Sequence, residues 1–377
     1  MAEHREAGSG GRGMIYLDYQ ATTPLAPEAR EAMLPFLDTK FGNPHSAHRL
    51  GREAAATIEV ARQRVAALMP AGGSVSFTSG ATEALNWAIK GTNGPIVTIA
   101  TEHAAVLDTV RAEAALGREV RILPVDASGL VDLGMAEAAI VPGTGLVAAM
   151  LVNNEIGVTQ PLEALAGFAD RAGALFLCDA VQGYGRLPVA ESCDLVAISA
   201  HKIHGPKGIG ALWLRDGVTL APLLHGGGQE AAGRSGTLAP MLCAGFGVAA
   251  ALMAERGEED RAHVERLWHI ARRRIGPEWA INGSAEQRYH GNLNIRRKGV
   301  DAARLMSSLR EIAFSAGSAC ASGSGRPSHV LKAIGLGDAE ARSSIRLGFG
   351  RYTSEEEIDR AATMILDVGS RQAMWLA

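Results

Sequence analysis

Seven short apolar runs alternate with amphipathic stretches over the first two thirds of the chain. The runs are rich in Val, Ile, Leu and Ala, which is typical of strands buried on both faces. The stretches between most of them, including 82–90, 105–116 and 162–172, carry apolar residues at helical spacing. This alternation predicts an α/β fold, a mostly parallel seven-stranded sheet wrapped by helices. In chain order the runs are SVSFTS, GPIVTIA, REVRILPV, GLVAAMLV, ALFLCDA, DLVAISA and GIGALWL.

Beyond residue 240 the pattern changes. A long helical region is predicted through residue 274, followed by the strand GNLNIRR, a helix over 302–309 and a closing helix over 354–368. This succession is typical of a smaller α+β domain, and 377 residues exceed the usual size of a single core. We therefore expect three parts: a flexible N-terminal tail over 1–14, a large α/β domain over 15–245 and a small C-terminal α+β domain over 246–377.

The composition is that of an ordinary water-soluble protein. Hydrophobic residues make up 47% of the chain, and the net charge is -3, so nothing draws it strongly to nucleic acid or to membranes. No apolar stretch approaches the roughly 18 residues of a membrane helix. The opening MAEHREAGSGGRG has no apolar core and does not match a signal peptide. These features predict a cytoplasmic protein with no direct nucleic acid or membrane partner.

Lys202 is the first candidate for chemistry. It follows a buried run in SAHKIHGPKGIGALWL, where loss of solvation would lower the pKa of its amine and make it a nucleophile toward aldehydes. Most lysines lie on the surface, but here Asp179 ends the run ALFLCDA, and a buried acid needs a cationic partner. A lysine bound to an aldehyde and an aspartate on a protonated pyridine nitrogen belong together in the chemistry of pyridoxal phosphate.

Other polar residues are placed for the same cofactor. FTSGATEAL reads as a strand, a Gly turn and a helix start, so the N–H groups of Ala81 and Thr82 can bind a phosphate. His103 ends another predicted strand and can stack on a flat ring or move protons. Gln182 and Asn154 fall at the same sheet edge.

Metal binding is an alternative use of such side chains. The four cysteines, at 178, 193, 243 and 320, show neither CxxC pairing nor metal spacing. Several histidines lie near strand ends without carboxylate or thiolate ligands at a fixed spacing: His103, His201, His204 and His225. We therefore expect no resident metal and free thiols.

Taken in order, the motifs resemble those of cysteine desulfurases of the NifS/IscS kind, in the class V aminotransferase group. The resemblance extends from YLDYQATTP to SSIRLGFGRYT and includes FGNPHSAHRLG, TEHAAVL, NNEIGVTQP, CDAVQ, GGGQE, RSGTLAP, SAGSACASG and PSHVLKAIGL. It implies the fold of a fold-type I PLP-dependent transferase, pyridoxal 5'-phosphate as cofactor and L-cysteine as substrate. It further implies a homodimer and a sulfur-acceptor protein, such as an iron-sulfur scaffold or a sulfur carrier.

The resemblance also implies residue roles. Lys202 would hold the cofactor covalently, Asp179 would pair with its ring nitrogen, His103 would stack on the ring and Gln182 would reach its phenolic oxygen. Arg346 would bind the substrate carboxylate with help from Asn154. The phosphate and its surroundings would be contacted by Ala81, Thr82, Ser199, His201 and the partner subunit's Thr237.

Cys320 is the candidate acceptor of the substrate sulfur. A desulfurase needs a second thiolate that attacks this sulfur and then carries the persulfide to an acceptor. The stretch FSAGSACASGSG surrounds Cys320 with small residues and little apolar area to anchor it. The other three cysteines look like inert apolar fillers. A transient contact between Cys320 and an iron-sulfur cluster is the one metal contact we expect.

Four features depart from the family pattern: Gln20, Ala316, His204 and the stretch TEALNW, which is less polar than usual. None removes a residue with an implied role, but they leave open the branch of the family and the acceptor. A selenocysteine lyase or a small-amino-acid aminotransferase on the same scaffold is the alternative, and neither needs the thiol of Cys320. A non-catalytic scaffold in sulfur transfer is a further alternative.

Overall fold

A computed structural model describes residues 13–316 and 328–374 of the chain. The strands are β1 Ile15–Tyr16, β2 Gly73–Thr78, β3 Ile96–Ile99, β4 Val120–Leu123, β5 Leu146–Met150, β6 Leu175–Asp179, β7 Leu195–Ser199, β8 Gly210–Arg215, β9 Ala280–Ile281, β10 Asn292–Arg296, β11 Ile312–Ala313, β12 Ser315–Ala316 and β13 Ser344–Gly348. The helices are α1 Pro27–Leu37, α2 Arg49–Ala66, α3 Ala81–Lys90, α4 Ala104–Ala115, α5 Leu133–Ala139, α6 Leu162–Ala172, α7 Pro240–Arg274, α8 Ala302–Ser308, α9 His329–Ala333, α10 Asp338–Arg342 and α11 Glu355–Met374.

A seven-stranded sheet forms the centre of the molecule, in the order β2-β8-β7-β6-β5-β3-β4. The pairs from β7 to β4 are parallel, whereas β8 runs antiparallel to β2 and to β7. All seven predicted runs form these strands, and the mostly parallel sheet is confirmed. The predicted helices over 82–90, 105–116 and 162–172 are α3, α4 and α6.

The apolar runs are continuous because both faces of the sheet are covered. In β6, Phe176 and Cys178 belong to one hydrophobic core, while Leu177 between them belongs to the core on the other face. Alternate side chains of a strand point to opposite faces of the sheet, and here both faces are apolar. The strands therefore lack the apolar and polar alternation of a sheet with one face in solvent. A single 3-10 turn, Ala200–Lys202, follows β7 and leaves Lys202 at the carboxyl end of that strand.

The long helix α7 connects this sheet to a second core. Its first half contributes Phe246 and Ala250 to the core that packs on the large sheet. Its second half contributes Leu267 and Ala271 to a core shared with the antiparallel sheet β12-β13-β10-β9 and with α11. The domain division after residue 245, which falls inside α7, stays a prediction. Within the described ranges, no helix is both long and apolar enough to cross a bilayer.

Candidate active site

A cavity of about 450 Å³ opens at the carboxyl ends of β5, β6 and β7, where an open α/β sheet binds its ligands. Nine of the residues predicted for the site line this one cavity: Ala81, Thr82, His103, Asn154, Asp179, Gln182, Ser199, His201 and Lys202. The turns after separate parallel strands bring them together, since those strands all end at the same edge of the sheet.

Lys202 carries its amine into the cavity from the turn after β7. The Nζ atom donates to the carbonyl oxygen of Ala21 at 2.9 Å and to that of Gln20. Burial lowers the pKa of this amine to about 8, and the positive charges of Arg346 and Arg186 act in the same direction. A substantial fraction of Lys202 is therefore an uncharged nucleophile near neutral pH.

Asp179 and His103 both line the cavity, and the charge of each shifts the pKa of the other. The Asp179 carboxylate lies at the end of β6, is only 5% exposed and accepts a hydrogen bond from the N–H of Val181 at 3.0 Å. Burial raises its pKa, while the charges of His103 and Lys202 oppose that rise. The His103 Nδ1 accepts from the N–H of Ala105 at 3.1 Å, so the neutral ring carries its proton on Nε2. Desolvation lowers the pKa of His103, against the pull of Asp179.

The first turn of α3 forms a cradle for an anion. Gly80 precedes this helix, and a Cβ built there meets no atom within 4 Å, so the space beside the N–H groups of Ala81 and Thr82 is open. The one carboxylate in this turn, Glu83, is held by Arg234 at 2.8 Å and by the N–H of Ser79 at 2.7 Å. An amine for an aldehyde, a carboxylate for a pyridinium and helix N–H groups for a phosphate together fit pyridoxal phosphate.

Arg346 lies behind Asn154 on β13. Its Nη1 donates to the carbonyl oxygen of Asn154 at 3.0 Å, and its Nη2 donates to Asp18 at 2.8 Å and to Ser315 at 3.2 Å. Its Nε is buried and makes no hydrogen bond to any of the described residues. Arg346 does not line the cavity itself, but it contacts Asn154, which does, and it keeps one donor without an acceptor among the described residues. Its role with a substrate carboxylate stays a prediction.

Three predicted site residues are not among the described residues that line this cavity: Arg346, Thr237 and Cys320. Thr237 is exposed and lies outside the lining of the cavity in its own chain. Cys320 falls in 317–327, outside the described residues, so its place in the site stays a prediction. The three other cysteines, Cys178, Cys193 and Cys243, are buried as predicted.

Three charged residues beside the site were missed. Asp18 neutralises Arg346, and Arg186 donates from Nη2 to the carbonyl oxygen of Lys202. Glu102 is fully buried and accepts from the N–H of Met150 at 2.6 Å. Burial and the charge of Asp179 raise the pKa of Glu102 well above its usual range. Asp18 and Glu102 stand in the motifs YLDYQATTP and TEHAAVL, which could have singled them out.

The departures from the family pattern have local structural surroundings. Gln20 is buried, and its Nε2 donates to the carbonyl oxygen of Gly291 at 2.8 Å. Its main-chain carbonyl oxygen accepts a hydrogen bond from Nε2 of Gln182 at 2.9 Å. His204 has a φ of +68° and packs edge-on against Tyr352 with ring centroids 5.0 Å apart. Nothing in the structure explains Ala316.

Comparison with known proteins shows the family of the chain. The family model described as "Aminotransferase class-V" matches residues 15–361. The cysteine desulfurase IscS of Rickettsia rickettsii (strain Iowa) is 44% identical over 369 residues, covering 93% of this chain and 90% of that protein.

Two solved structures share the fold over most of their length. A NifS-like protein superposes with a TM-score of 0.87 at 33% identity, covering 95% of this chain and 100% of that one. The protein SspA, solved in complex with cysteine, gives a TM-score of 0.80 at 34% identity, covering 90% of this chain and 100% of that one. The chain therefore belongs to the aminotransferase class-V family, among its cysteine desulfurases.

Proposed function

We propose that the protein is a pyridoxal phosphate-dependent cysteine desulfurase that converts L-cysteine into L-alanine and collects the sulfur as a persulfide on Cys320. One observation carries the proposal. A single cavity is lined by Lys202, whose amine has a lowered pKa, by the buried carboxylate of Asp179 and by the open N-terminus of α3. The IscS relative and the cysteine-bound SspA structure support the choice of substrate.

The cofactor would be held at three points. Lys202 would bind its aldehyde carbon, Asp179 would pair with the ring nitrogen and the N–H groups of Ala81 and Thr82 would bind its phosphate. When bound, pyridoxal phosphate supplies an electron sink for the bond broken at the substrate Cα. Ser199 and His201 would complete the phosphate surroundings, and Gln182 would reach the phenolic oxygen.

Arg346 and Asn154 would orient the substrate by its carboxylate. The free Nε of Arg346 can add a charge-assisted hydrogen bond to that carboxylate while Nη1 stays on the Asn154 carbonyl oxygen. Asp18 competes for the same guanidinium, so substrate binding has to share or displace that ion pair.

Lys202 is the group we assign to proton transfer at Cα. With a pKa of about 8, its amine can take a proton near neutral pH and still return it. The neutral His103 ring, with its proton on Nε2, can donate to a basic atom of the substrate or cofactor. The raised pKa of Glu102 favours its neutral form, which reduces the negative charge beside Asp179.

The thiolate of Cys320 would attack the substrate sulfur. An S–S bond forms as the C–S bond breaks, and the electron pair of the broken bond returns to the three-carbon unit. A proton taken up at that carbon then gives alanine, so the sulfur is oxidised to the persulfide level without an external oxidant. The persulfide would pass to an acceptor protein for iron-sulfur cluster or thio-cofactor and tRNA biosynthesis.

The assembly and location are part of the proposal. We propose a cytoplasmic homodimer in which Thr237 serves the cavity of the other subunit. The exposed position of Thr237, outside the cavity of its own chain, supports this arrangement.

The experiment follows sulfur and carbon separately in the holoenzyme. With L-cysteine labelled in its sulfur, the wild-type protein should form alanine and retain label that reductant releases. Cys320→Ala should lose that label and nearly all turnover under reductant. The matched control, Cys243→Ala, removes a buried thiol of α7 and should keep both.

The outcomes separate the candidate functions. Alanine formation at the wild-type rate by Cys320→Ala would exclude the persulfide mechanism and favour a selenocysteine lyase, whereas consumption of cysteine without alanine formation would favour an aminotransferase. A purified protein that stays colourless with added pyridoxal phosphate would favour a non-catalytic scaffold.

A further inference from the structure

A second cavity, of about 100 Å³, is lined by residues of α7, by the loop at residues 185–187 and by the segment 288–290. Arg186, one of its lining residues, also donates to the main-chain carbonyl oxygen of Lys202. Its lining includes four arginines and only two carboxylates. We call it the arginine cavity, and its charged lining residues are Arg186, Arg261, Arg288, Arg351, Asp260 and Glu265.

Arg288 is the central observation. Its side chain is deeply buried, with the residue 7% exposed, and no carboxylate pairs with it among the described residues. Nη1 and Nη2 donate to the carbonyl oxygens of Ser284, Ile156 and Asn292 at 2.8–3.0 Å, whereas Nε has no acceptor there. Burial lowers the pKa of this guanidinium to about 9, and in the described part of the chain its charge is met only by these carbonyl oxygens and by the Trp268 ring, whose centroid lies 5.1 Å from Cζ.

A second donor without a partner lines the same space. Nη1 of Arg351 is buried and makes no hydrogen bond within the described ranges. Asp260 is already engaged by Nε and Nη2 of Arg351, and both oxygens of Glu265 lie 2.7–2.9 Å from Nδ1 of His290. The carboxylates of the lining therefore do not satisfy the two orphan donors.

The charge balance of the lining favours an anion. The arginines exceed the carboxylates by two positive charges, before any charge on His290. Burial lowers the pKa of His204, the other histidine of the lining, to about 3, so it stays neutral. Because planar guanidinium groups match oxyanions better than they match a spherical halide, an oxyanion is the favoured ligand.

We propose that the arginine cavity binds a small inorganic oxyanion of the sulfate or phosphate type through Arg288 and Arg351. The cavity has room for such an ion, and two of the arginines that line it each carry a buried donor without an acceptor among the described residues. This inference does not depend on the proposed function, since it rests on charge and burial outside the active-site cavity.

Occupation of the arginine cavity has a consequence for the active site. Arg186 lines this cavity and donates from Nη2 to the carbonyl oxygen of Lys202. Its positive charge is one of the influences that lower the pKa of the Lys202 amine. An anion beside Arg186 offsets part of that charge, so binding should shift the pKa of Lys202 upward.

The test measures thermal unfolding of the holoenzyme, whose bound cofactor fills the active-site phosphate cradle. Millimolar sulfate, and in a second arm inorganic phosphate, is titrated against sodium chloride at constant ionic strength. The wild type should show a saturable rise in Tm, on the order of 1–3 °C, that chloride does not produce. Equal effects of sulfate and chloride would overturn the proposal.

Arg288→Gln should abolish the difference between sulfate and chloride. The matched control is Arg118→Gln, because Arg118 is also a largely buried arginine that donates to main-chain carbonyls, those of Ile89 and Gly94, but lies outside the cavity. It should lose stability yet keep the sulfate response. A full sulfate response in Arg288→Gln contradicts the assignment.

A second variant keeps the proposal testable where Arg288→Gln does not fold. Gly257 lies in α7 and lines the cavity, and a Cβ built there meets nothing within 4 Å. Gly257→Glu should therefore fold, place a carboxylate among the arginines and remove the sulfate response. A variant that still responds like the wild type would overturn the proposal independently.

Discussion

Replacing Arg186 by glutamine should raise the pKa of the Lys202 amine and move the pH dependence of turnover upward. Arg186 contacts the main chain of Lys202, and its charge lowers the pKa of the amine, after burial and Arg346. Arg186→Gln removes the charge and keeps a hydrogen-bond donor on a shorter side chain, and Arg186→Lys separates the charge from the shape of the guanidinium. The uncharged amine is the form that can accept a proton from the substrate, so activity should require a higher pH.

The size of the effect follows from the pKa of about 8 against 10.5 for an ordinary lysine. At pH 7.5 such an amine is uncharged in roughly a quarter of the molecules, whereas an ordinary lysine is uncharged in about one in a thousand. A charge at this distance inside a protein shifts a pKa by about 0.5–1 unit. The uncharged fraction at pH 7.5 should then fall about three- to eightfold.

The assay is the rate of alanine formation at saturating L-cysteine between pH 6.5 and about 9.5, with reductant present. The rising limb of kcat should move to higher pH in Arg186→Gln, while Arg186→Lys should keep the wild-type pH profile. The matched control is Arg171→Gln, which removes an exposed arginine of α6. Ionisation of the substrate thiol is common to all variants, so it cancels from the differences.

Two results would refute the reasoning. One is a rising limb of kcat at the same pH in Arg186→Gln, which would show that the charge of Arg186 does not lower the pKa of the Lys202 amine. The other is an equal shift in Arg186→Lys, which would assign the effect to the lost geometry of the guanidinium.

Three further substitutions test the site and its surroundings. Asp179→Asn keeps the acceptor for Val181 but removes the charge, so turnover per bound cofactor, measured by absorbance and alanine formation, should fall by about tenfold or more. Gly348→Ala puts a Cβ 1.7 Å from Oε1 of Gln20 and should cost about 1–3 kcal/mol in denaturant unfolding; Gln20→Ser should recover part of this. His204 has a folded pKa of about 3, below its unfolded value, so its contribution to stability is present above about pH 6.5 and is lost as the pH falls. His204→Asn tolerates the positive φ and should flatten the fall of Tm between about pH 6.5 and 4; an equally steep fall would contradict this.

The central sheet could be predicted because burial on both faces leaves a strong trace in the sequence. Runs such as DLVAISA are apolar on both sides of the strand, and each predicted run is a strand. The antiparallel direction of β8 could not be read in this way, since a buried strand has the same apolar pattern in either direction. The two-residue strands β1 and β11 also escaped prediction, because they exist only through their mutual pairing across the chain.

The part of the active site built from strand ends was predictable for a related reason. Asp179 and Lys202 follow parallel strands, so a rule about sheet edges is enough to bring them to one cavity. Asp18 and Arg186 act through contacts with Arg346 and with the Lys202 main chain. Their partners lie far away in sequence or on the backbone, and no local pattern reveals them.

The described residues on either side of 317–327 are each held by a hydrogen bond to a carboxylate. On one side, the Oγ of Ser315 donates to Asp18 at 2.8 Å, within the ion pair that holds Arg346. On the other side, the Oγ of Ser328 donates to the buried carboxylate of Glu155.

Glu155 follows directly after Asn154, whose carbonyl oxygen accepts from Arg346. The chain on both sides of Cys320 is thus tied to the guanidinium that we assign to the substrate carboxylate.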